Sequence, residues 1–323
     1  MLVSLLPICN LLFLNYLYMS AHGSNKAIIF ALAGNLLIAV IKYIVAFITG
    51  SAAMLAESIH STADSFNQVL LLVGHKRAKK AANEMHSFGY SNEVFFWSLM
   101  VAVLLFFVGA LFSIYEGIHK VMHPEEITSV YWIFAVLISS IIIEAKSFQV
   151  AFSEFRKTTK LPFLKAIQAS THVSLVVVVL EDSAAMAGLI IVLISTTLAW
   201  LVHPVFDAIG SITVGLLLLA VSILLIAEVK NLIVGESMPR ESRQAIRNIV
   251  HKFKQIRHIN RLQTMVMGDS KYLVLLSVDI NDEMKGSDAE DMIEKVKLAL
   301  KKEIPEIGTL YIEIQDSVRN QEA

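Results

Sequence analysis

Six long apolar runs constrain this chain more than any other feature of its sequence. Each run is about 20 residues long, which is the length of an α-helix that crosses the hydrocarbon core of a bilayer. The runs cover approximately residues 27–49, 53–74, 94–115, 129–149, 170–200 and 206–228. The chain is 55% hydrophobic and only 17% charged, and a soluble core of this size does not need so much apolar surface. These features indicate a polytopic α-helical membrane protein with six transmembrane helices.

The distribution of lysine and arginine predicts how these helices are oriented. Basic residues follow the second run, at 75–80, and the fourth run, between 146 and 165. The connections after the first, third and fifth runs are poor in lysine and arginine. The positive-inside rule therefore places both termini in the cytoplasm. We expect a multi-pass protein of the cell (inner) membrane, with the basic residues at 75–80 contacting lipid headgroups.

The two ends of the chain differ from the apolar middle. The N-terminal segment, residues 1–24, starts with an apolar run at 1–20. The run is short, with no basic start and no small-residue cleavage site, which favours a mis-assigned start codon or an interfacial segment over a seventh helix. Residues 25–234 form the predicted six-helix transmembrane domain. Residues 235–323 have the composition of a soluble domain, and their periodicity predicts the order α-β-β-α-β. Such an order is typical of a small α+β, ferredoxin-like domain, which the predicted topology places in the cytoplasm.

Polar residues interrupt the second apolar run with helical spacing. Glu57, His60, Asp64, Asn67 and Gln68 form one stripe. Each ionisable group within a span costs roughly 2.5–3.5 kcal/mol on insertion scales, so each needs a function or a partner. His60 and Asp64 are one turn apart and project from the same face. An imidazole nitrogen beside carboxylate oxygens suits Zn²⁺ or a similar first-row divalent ion.

The fifth run carries a second acidic group at a similar depth, Glu181 and Asp182. Two helices with acids at one depth can share a cation, and the shared cation offsets the insertion cost of both. The predicted metal site therefore comprises His60, Asp64, Asp182 and Glu181. The alternative is a structural pairing of a buried acid with Lys42 of the first run.

Other residues of the predicted spans indicate helix packing, and the composition argues against a nucleic acid partner and cysteine-based sites. For the remaining polar residues of the first two runs (Asn35, Glu57, Asn67, Gln68) we expect interhelical hydrogen bonds, and for three glycines (Gly109, Gly210, Gly215) close helix packing. No basic face with interleaved aromatic residues indicates a nucleic acid partner. The single cysteine, Cys9, excludes a disulfide framework and a cysteine-based metal cluster.

Several stretches resemble the cation diffusion facilitator family of metal/proton antiporters. They are "AESIHSTAD" on the second span, "MHSFGYSNEVFFW" before the third, and the predicted ferredoxin-like tail. "STHVSLVVVVLEDSAAMAGL" and "HPVFDAIGSITVG" resemble most the branch related to mammalian zinc transporter nine. The resemblance covers about residues 25–318.

The resemblance also implies a ligand set. The family carries an H/D-x-x-x-D pair on the second and on the fifth span. His60 and Asp64 match the first pair, and Asp182 matches the second aspartate of the other pair. Val178 occupies the remaining ligand position, so either Glu181 or a water molecule is expected to complete the site.

The implied function is export of a divalent metal cation by exchange with protons. Zn²⁺ is the first expectation for the transported substrate, followed by Mn²⁺, Fe²⁺, Co²⁺ and Ni²⁺. The resemblance also implies a homodimer that pairs through the cytoplasmic domain. The family's histidines in that domain are replaced by Asn260, Ser277 and Ile314, so we expect no second zinc site there.

The sequence also bears on three other functions. The substitution at Val178 allows a non-transporting metal-binding membrane scaffold, and a passive channel would differ from an antiporter in lacking proton exchange. An intramembrane protease is not expected, because H-E-x-x-H is missing and the Gly-Asp motif, Gly268-Asp269, lies in the soluble tail. We therefore expect no enzyme.

Overall fold

The computed structural model describes residues 23–49, 52–123, 130–158, 161–170, 172–268 and 271–316. Within these ranges, the side chains at 23–26, 46, 48–49, 52–60, 63, 130, 164 and 168–169 lie outside the description. The segment predicted at residues 1–24 therefore lies almost wholly outside the described residues.

Long helices account for the first three quarters of the described chain. They are α1 (Gly23–Thr49), α2 (Ala52–Ala78), α3 (Glu93–Met122), α4 (Val130–Thr158), the short α5 (Phe163–Ala169), α6 (Val173–Leu201) and α7 (Val205–Val234). Each predicted apolar run coincides with one of the six long helices, and the ends differ by up to nine residues, because several helices continue beyond the apolar run. The α-helical prediction is thus confirmed.

Five of these helices are long and apolar enough to cross a membrane, as judged on the described residues. They are α1, α3, α4, α6 and α7. The helix α2 has the length of a span, but its polar stripe makes it less apolar than the others. The polar side chains of α2 at Ser61, Ser65, Asn67 and Gln68 are buried between helices instead of facing lipid. The chain is therefore an integral multi-pass membrane protein whose polar helix is shielded by its neighbours.

The helices α3 and α7 pack closely at two glycines, each of which faces the backbone of the other helix. A Cβ atom at Gly117 would lie 2.8 Å from the backbone nitrogen of Ile212, and one at Gly215 would lie 2.9 Å from that of Ile114. The helix α3 also contains a π-helical stretch, Leu105–Leu111. A Cβ at Gly210 would collide with the side chain of Ser195 on α6. The predicted packing role of Gly210 and Gly215 is confirmed.

The remaining transmembrane helices pack around α1 and α6. The helix α1 lies against α2 and α4, and α6 lies against α4 and α7. The helices α1 and α4 run antiparallel to each other, because Gly34 faces Ile143 and Ser147, whereas Val45 packs on Val136. This arrangement brings the polar residues of α1, α2, α4 and α6 into one region.

The soluble part consists of α8 (Arg240–Val250), β1 (Ile256–Val266), β2 (Tyr272–Ile280), α9 (Gly286–Glu303) and β3 (Ile307–Ile314). The sheet order is β1-β2-β3, with β1 antiparallel and β3 parallel to β2. The helix α9 makes the crossover that two parallel neighbouring strands require. Six of the nine residues of the central strand β2 are buried, which agrees with its largely apolar sequence. The predicted α+β order is confirmed.

The connection between the two parts is short. Gly235 ends α7 with a φ of 111°, the left-handed conformation that glycine adopts without strain. The next residue, Glu236, accepts a backbone hydrogen bond from the N–H of Val266 on β1, 2.8 Å away. The soluble part is thus held to the end of α7 within one residue of the helix.

Candidate metal centre

The two acids of α6 are buried and contact different helices. Glu181 is 6% exposed and Asp182 is 1% exposed. Adjacent residues on an α-helix point about 100° apart. Glu181 accordingly faces α2, whereas Asp182 faces α4.

Glu181 accepts a hydrogen bond on each carboxylate oxygen. The side-chain amide of Asn67 donates to Oε1 at 3.0 Å, and that of Gln68 donates to Oε2 at 2.7 Å. The prediction that Asn67 and Gln68 make interhelical hydrogen bonds is confirmed. Lys42 instead donates to Oγ of Ser61 at 2.8 Å, so the hydrogen bonds of Glu181 come from the amides of α2.

Asp182 is held by the fourth long helix. The hydroxyl of Ser147 on α4 donates to Oδ2 of Asp182 at 2.9 Å. Ser147 is itself buried, so this bond lies away from solvent. One turn before Asp182, Val178 is fully buried in the apolar core. A side chain without a donor atom therefore stands where the family places a ligand.

The predicted ligands on α2 are described in part. Asp64 is half-buried and interacts electrostatically with Glu181. His60 lies in α2, one turn before Asp64, but its side chain is outside the described residues. Among the side chains that are described, no three of histidine, cysteine, aspartate or glutamate are grouped closely enough to hold a metal ion. The four-residue metal site stays a prediction.

The structure adds a residue that sequence reasoning missed, Glu144 on α4. Its side chain is 4% exposed. It interacts electrostatically with acids on both neighbouring helices, Asp182, Asp64 and Glu181, and with Lys42. A signal was present in the sequence, because the buried face of α4 has helical spacing: Ser140, Glu144, Ser147, Ala151, Glu154.

We refer to the buried polar residues between α1, α2, α4 and α6 as the polar cluster. Its members are Lys42, Ser61, Asp64, Asn67, Gln68, Glu144, Ser147, Glu181 and Asp182. The cluster combines four carboxyl groups with one ammonium. Such an excess of acids within a membrane is costly unless protons or cations neutralise it. The chemistry of the cluster therefore suits the binding of a cation.

Comparison with known proteins identifies two family domains. The sequence model of the cation efflux transmembrane domain matches residues 28–234. The model of the cation efflux protein cytoplasmic domain matches residues 238–316. Together the two matches cover nearly all of the described chain.

Similar individual proteins include zinc and manganese transporters. The chain is 33% identical over 267 residues to the mitochondrial proton-coupled zinc antiporter SLC30A9 of Xenopus laevis, covering 81% of this chain and 48% of that protein. The human protein of the same name is 30% identical over 285 residues, covering 85% and 50%. The manganese efflux system protein MneP of Bacillus subtilis is 23% identical over 292 residues, covering 90% and 95%.

The chain thus spans about half the length of the SLC30A9 relatives that it matches. The transmembrane family match alone extends over more than half of the chain. The resemblance noted in the sequence is confirmed, and the chain belongs to the cation efflux family, the cation diffusion facilitators.

Proposed function

We propose that the protein exports a divalent metal cation, in the first place Zn²⁺, in exchange for protons. The observation that carries this proposal is the polar cluster, in which four carboxyl groups share one ammonium inside a membrane domain. A divalent cation neutralises part of this charge and supplies a reason for keeping the acids buried. The names of the similar proteins support a metal substrate, since they specify zinc for some and manganese for another.

The proposed ligands are His60, Asp64, Asp182 and Glu181. In this proposal Glu181 replaces the ligand that Val178 cannot provide. A carboxylate oxygen has two lone pairs, so each oxygen of Glu181 can accept an amide hydrogen bond and still face a metal ion. Asn67 and Gln68 then act as positioning residues that orient Glu181, and Ser147 orients Asp182 in the same way.

Proton exchange follows from the chemistry of these ligands. A metal binds only to a neutral imidazole and to ionised carboxylates, so protons and metal compete for the same atoms. A gradient of one pH unit supplies about 1.36 kcal/mol for each proton that moves. Proton binding on one side of the membrane therefore drives metal release on that side.

The arrangement in the membrane is part of the proposal. Residues 25–234 form the transport domain, and residues 235–323 form a cytoplasmic domain that pairs two copies of the chain. The match to the cytoplasmic domain of the family supports this pairing. The basic connections after the second and fourth spans support cytoplasmic termini in the cell (inner) membrane.

A non-transporting metal-binding scaffold is the second candidate. It is favoured by Val178, whose apolar side chain removes one of the family's ligand positions. A scaffold binds metal in the polar cluster without carrying it across the membrane.

Flux measurements in proteoliposomes separate these functions. The purified protein is reconstituted into vesicles that enclose a zinc-sensitive dye, and an outward or inward pH gradient is imposed across the vesicle membrane. We expect zinc uptake that depends on the direction of the gradient, together with counter-movement of protons. A scaffold gives no uptake, and a passive channel gives uptake that ignores the pH gradient.

The variant Asp64→Asn tests the site itself. It keeps the shape of the side chain and removes its charge, so we expect zinc flux to be abolished while the helical circular dichroism stays unchanged. Asp207→Asn is the matched control, because Asp207 pairs with Lys120 at 3.0 Å, away from the cluster. If Asp64→Asn transports zinc at the rate of the unaltered protein, Asp64 is not a ligand and the proposed site on α2 is wrong.

A further inference from the structure

Lys42 places a positive charge where the proposed metal substrate binds. In the described part of the chain, it is the one lysine or arginine with less than a tenth of its surface exposed, at 7%. Its ammonium donates a hydrogen bond to Ser61 on α2, 2.8 Å away. Ser61 directly follows His60 and precedes Asp64 by one turn. The ammonium thus lies beside the α2 half of the proposed site.

The packing of α1 on α4 brings Lys42 to the level of the segment of α4 that precedes Glu144. A Cβ at Gly34 would lie 3.4 Å from Ile143, and Val45 packs on Val136. Lys42 lies between Gly34 and Val45 along α1, so it is level with the segment of α4 between Val136 and Ile143. Glu144 adjoins this segment and interacts electrostatically with Lys42.

Glu144 connects the two halves of the polar cluster. It interacts with Asp64 on α2 and with Glu181 and Asp182 on α6. No hydrogen bond or ion pair joins Glu144 to another described side chain, although it is 4% exposed. A buried carboxylate without a partner is stabilised by a nearby cation. Among the described side chains Lys42 is a cation that interacts with it, and an incoming metal ion would be a second.

We propose that Lys42 is a tethered cation of the transport site, which competes electrostatically with the metal and which Glu144 balances when the metal is bound. The inference rests on the proposed function, because it concerns metal binding in the same cluster. Its consequence is that Lys42 weakens metal binding and so prevents the acidic site from trapping its substrate. Glu144 has the opposite effect and strengthens metal binding.

Zinc affinity of the purified full-length protein tests this inference through a charge cycle. The variants are Lys42→Met, Glu144→Gln and the double variant, and binding is measured by competition with a zinc chelator. At short range in a protein, one unit charge changes the affinity for a cation by about tenfold or more. We expect Lys42→Met to bind zinc about tenfold more tightly, Glu144→Gln about tenfold more weakly, and the double variant close to the unaltered protein.

Two controls keep the test independent of folding. Lys42→Arg retains the charge and is expected to bind zinc like the unaltered protein. Lys42→Gln removes the charge but can still donate to Ser61, and it is expected to show the same gain as Lys42→Met. A residue that only supports packing would not tighten metal binding when it is replaced.

Asp182→Asn separates a failure of this inference from a failure of the proposed function. If Asp182→Asn loses zinc binding but the neutral Lys42 variants bind zinc no more tightly than the unaltered protein, the role of Lys42 is wrong. If Asp182→Asn binds zinc normally, the proposed site itself is wrong. Tighter binding in both neutral variants, reversed by Glu144→Gln, supports the tethered cation.

Discussion

Asn92, at the start of α3, accepts a hydrogen bond on Oδ1 from the backbone N–H of Gly268, 3.0 Å away in the turn between β1 and β2. Gly268 has a φ of 65°, and a Cβ atom there would lie 2.7 Å from the backbone oxygen of Ser91. The soluble domain therefore rests on the connection between α2 and α3. Because α2 carries half of the proposed site, this contact links the soluble domain to the end of a helix that is proposed to bind metal.

Gly268→Ala is expected to loosen this contact. The new Cβ collides with Ser91, and alanine is strained at positive φ by about 1–3 kcal/mol. We expect a lower midpoint of thermal unfolding and a slower zinc flux. Gly286→Ala is the matched control, since no atom lies within 4 Å of a Cβ at Gly286. If both variants have the same unfolding midpoint and the same zinc flux, the contact at Gly268 contributes neither to stability nor to transport.

Glu181→Ala is expected to weaken zinc binding nearly as much as Asp182→Ala, by at least about tenfold. The physical reason is that two adjacent buried acids are costly to insert, so a chain that keeps both uses both. Isothermal titration of the purified variants with zinc checks this expectation. Ser183→Ala, the next residue along α6, is the control and is expected to bind zinc normally.

Rebuilding the family's usual ligand pair provides a second measurement on the same site. Val178→His places an imidazole one turn before Asp182, so it is expected to make Glu181 redundant. The double variant Val178→His/Glu181→Ala should then recover zinc binding. If Glu181→Ala alone binds zinc and couples protons normally, a three-residue site completed by water replaces the proposed one.

Local periodicity was sufficient to predict the helices, the soluble domain and the polar residues, but not their partners. Asn67 and Gln68 were predicted to make interhelical hydrogen bonds, yet their partner, Glu181, depends on how α2 and α6 are rotated against each other. Glu144 was missed although its helical spacing with Ser140 and Ser147 was visible. A single acid in a span indicates a site only when the acids of the neighbouring helices are known to face it.

The junction between the two domains is expected to lose stability as the pH rises. Burial raises the pKa of Glu236 above its ordinary value, and the nearby carboxylate of Glu228 raises it further. A raised pKa means that the native protein binds this proton more tightly than the unfolded chain. The stabilisation is therefore complete below the unfolded pKa and is lost as the pH rises through the folded pKa.

Glu236→Gln removes this titration and is expected to unfold at a higher temperature than the unaltered protein at about pH 8, but not at about pH 4. Thermal unfolding in detergent at both pH values provides the measurement. The control is Glu290→Gln, because Glu290 is exposed on α9. An equal effect of Glu236→Gln at both pH values would contradict the assignment.

Removal of all residues after Gly235 is expected to leave the transmembrane helices inserted but to weaken pairing and transport. All helices that the described residues show to be long and apolar enough to cross a membrane precede Gly235, so the truncation leaves these spans complete. Light scattering in detergent measures the pairing, and zinc flux measures transport. A truncated protein that stays dimeric and fully active would show that the soluble domain is dispensable.

The reciprocal fit of Gly117 and Gly215 has a consequence for how the protein moves. A Cβ atom at either glycine would come as close as 2.8–2.9 Å to the backbone of the other helix. Helices packed this closely have little room to slide past each other, so we expect α3 and α7 to stay fixed relative to each other. If the polar cluster opens to either side of the membrane, we expect α1, α2, α4 and α6 to tilt together relative to α3 and α7. A covalent cross-link between α3 and α7 should consequently leave zinc flux unchanged, and a cross-linked protein that stops transporting would show that α3 and α7 move relative to each other.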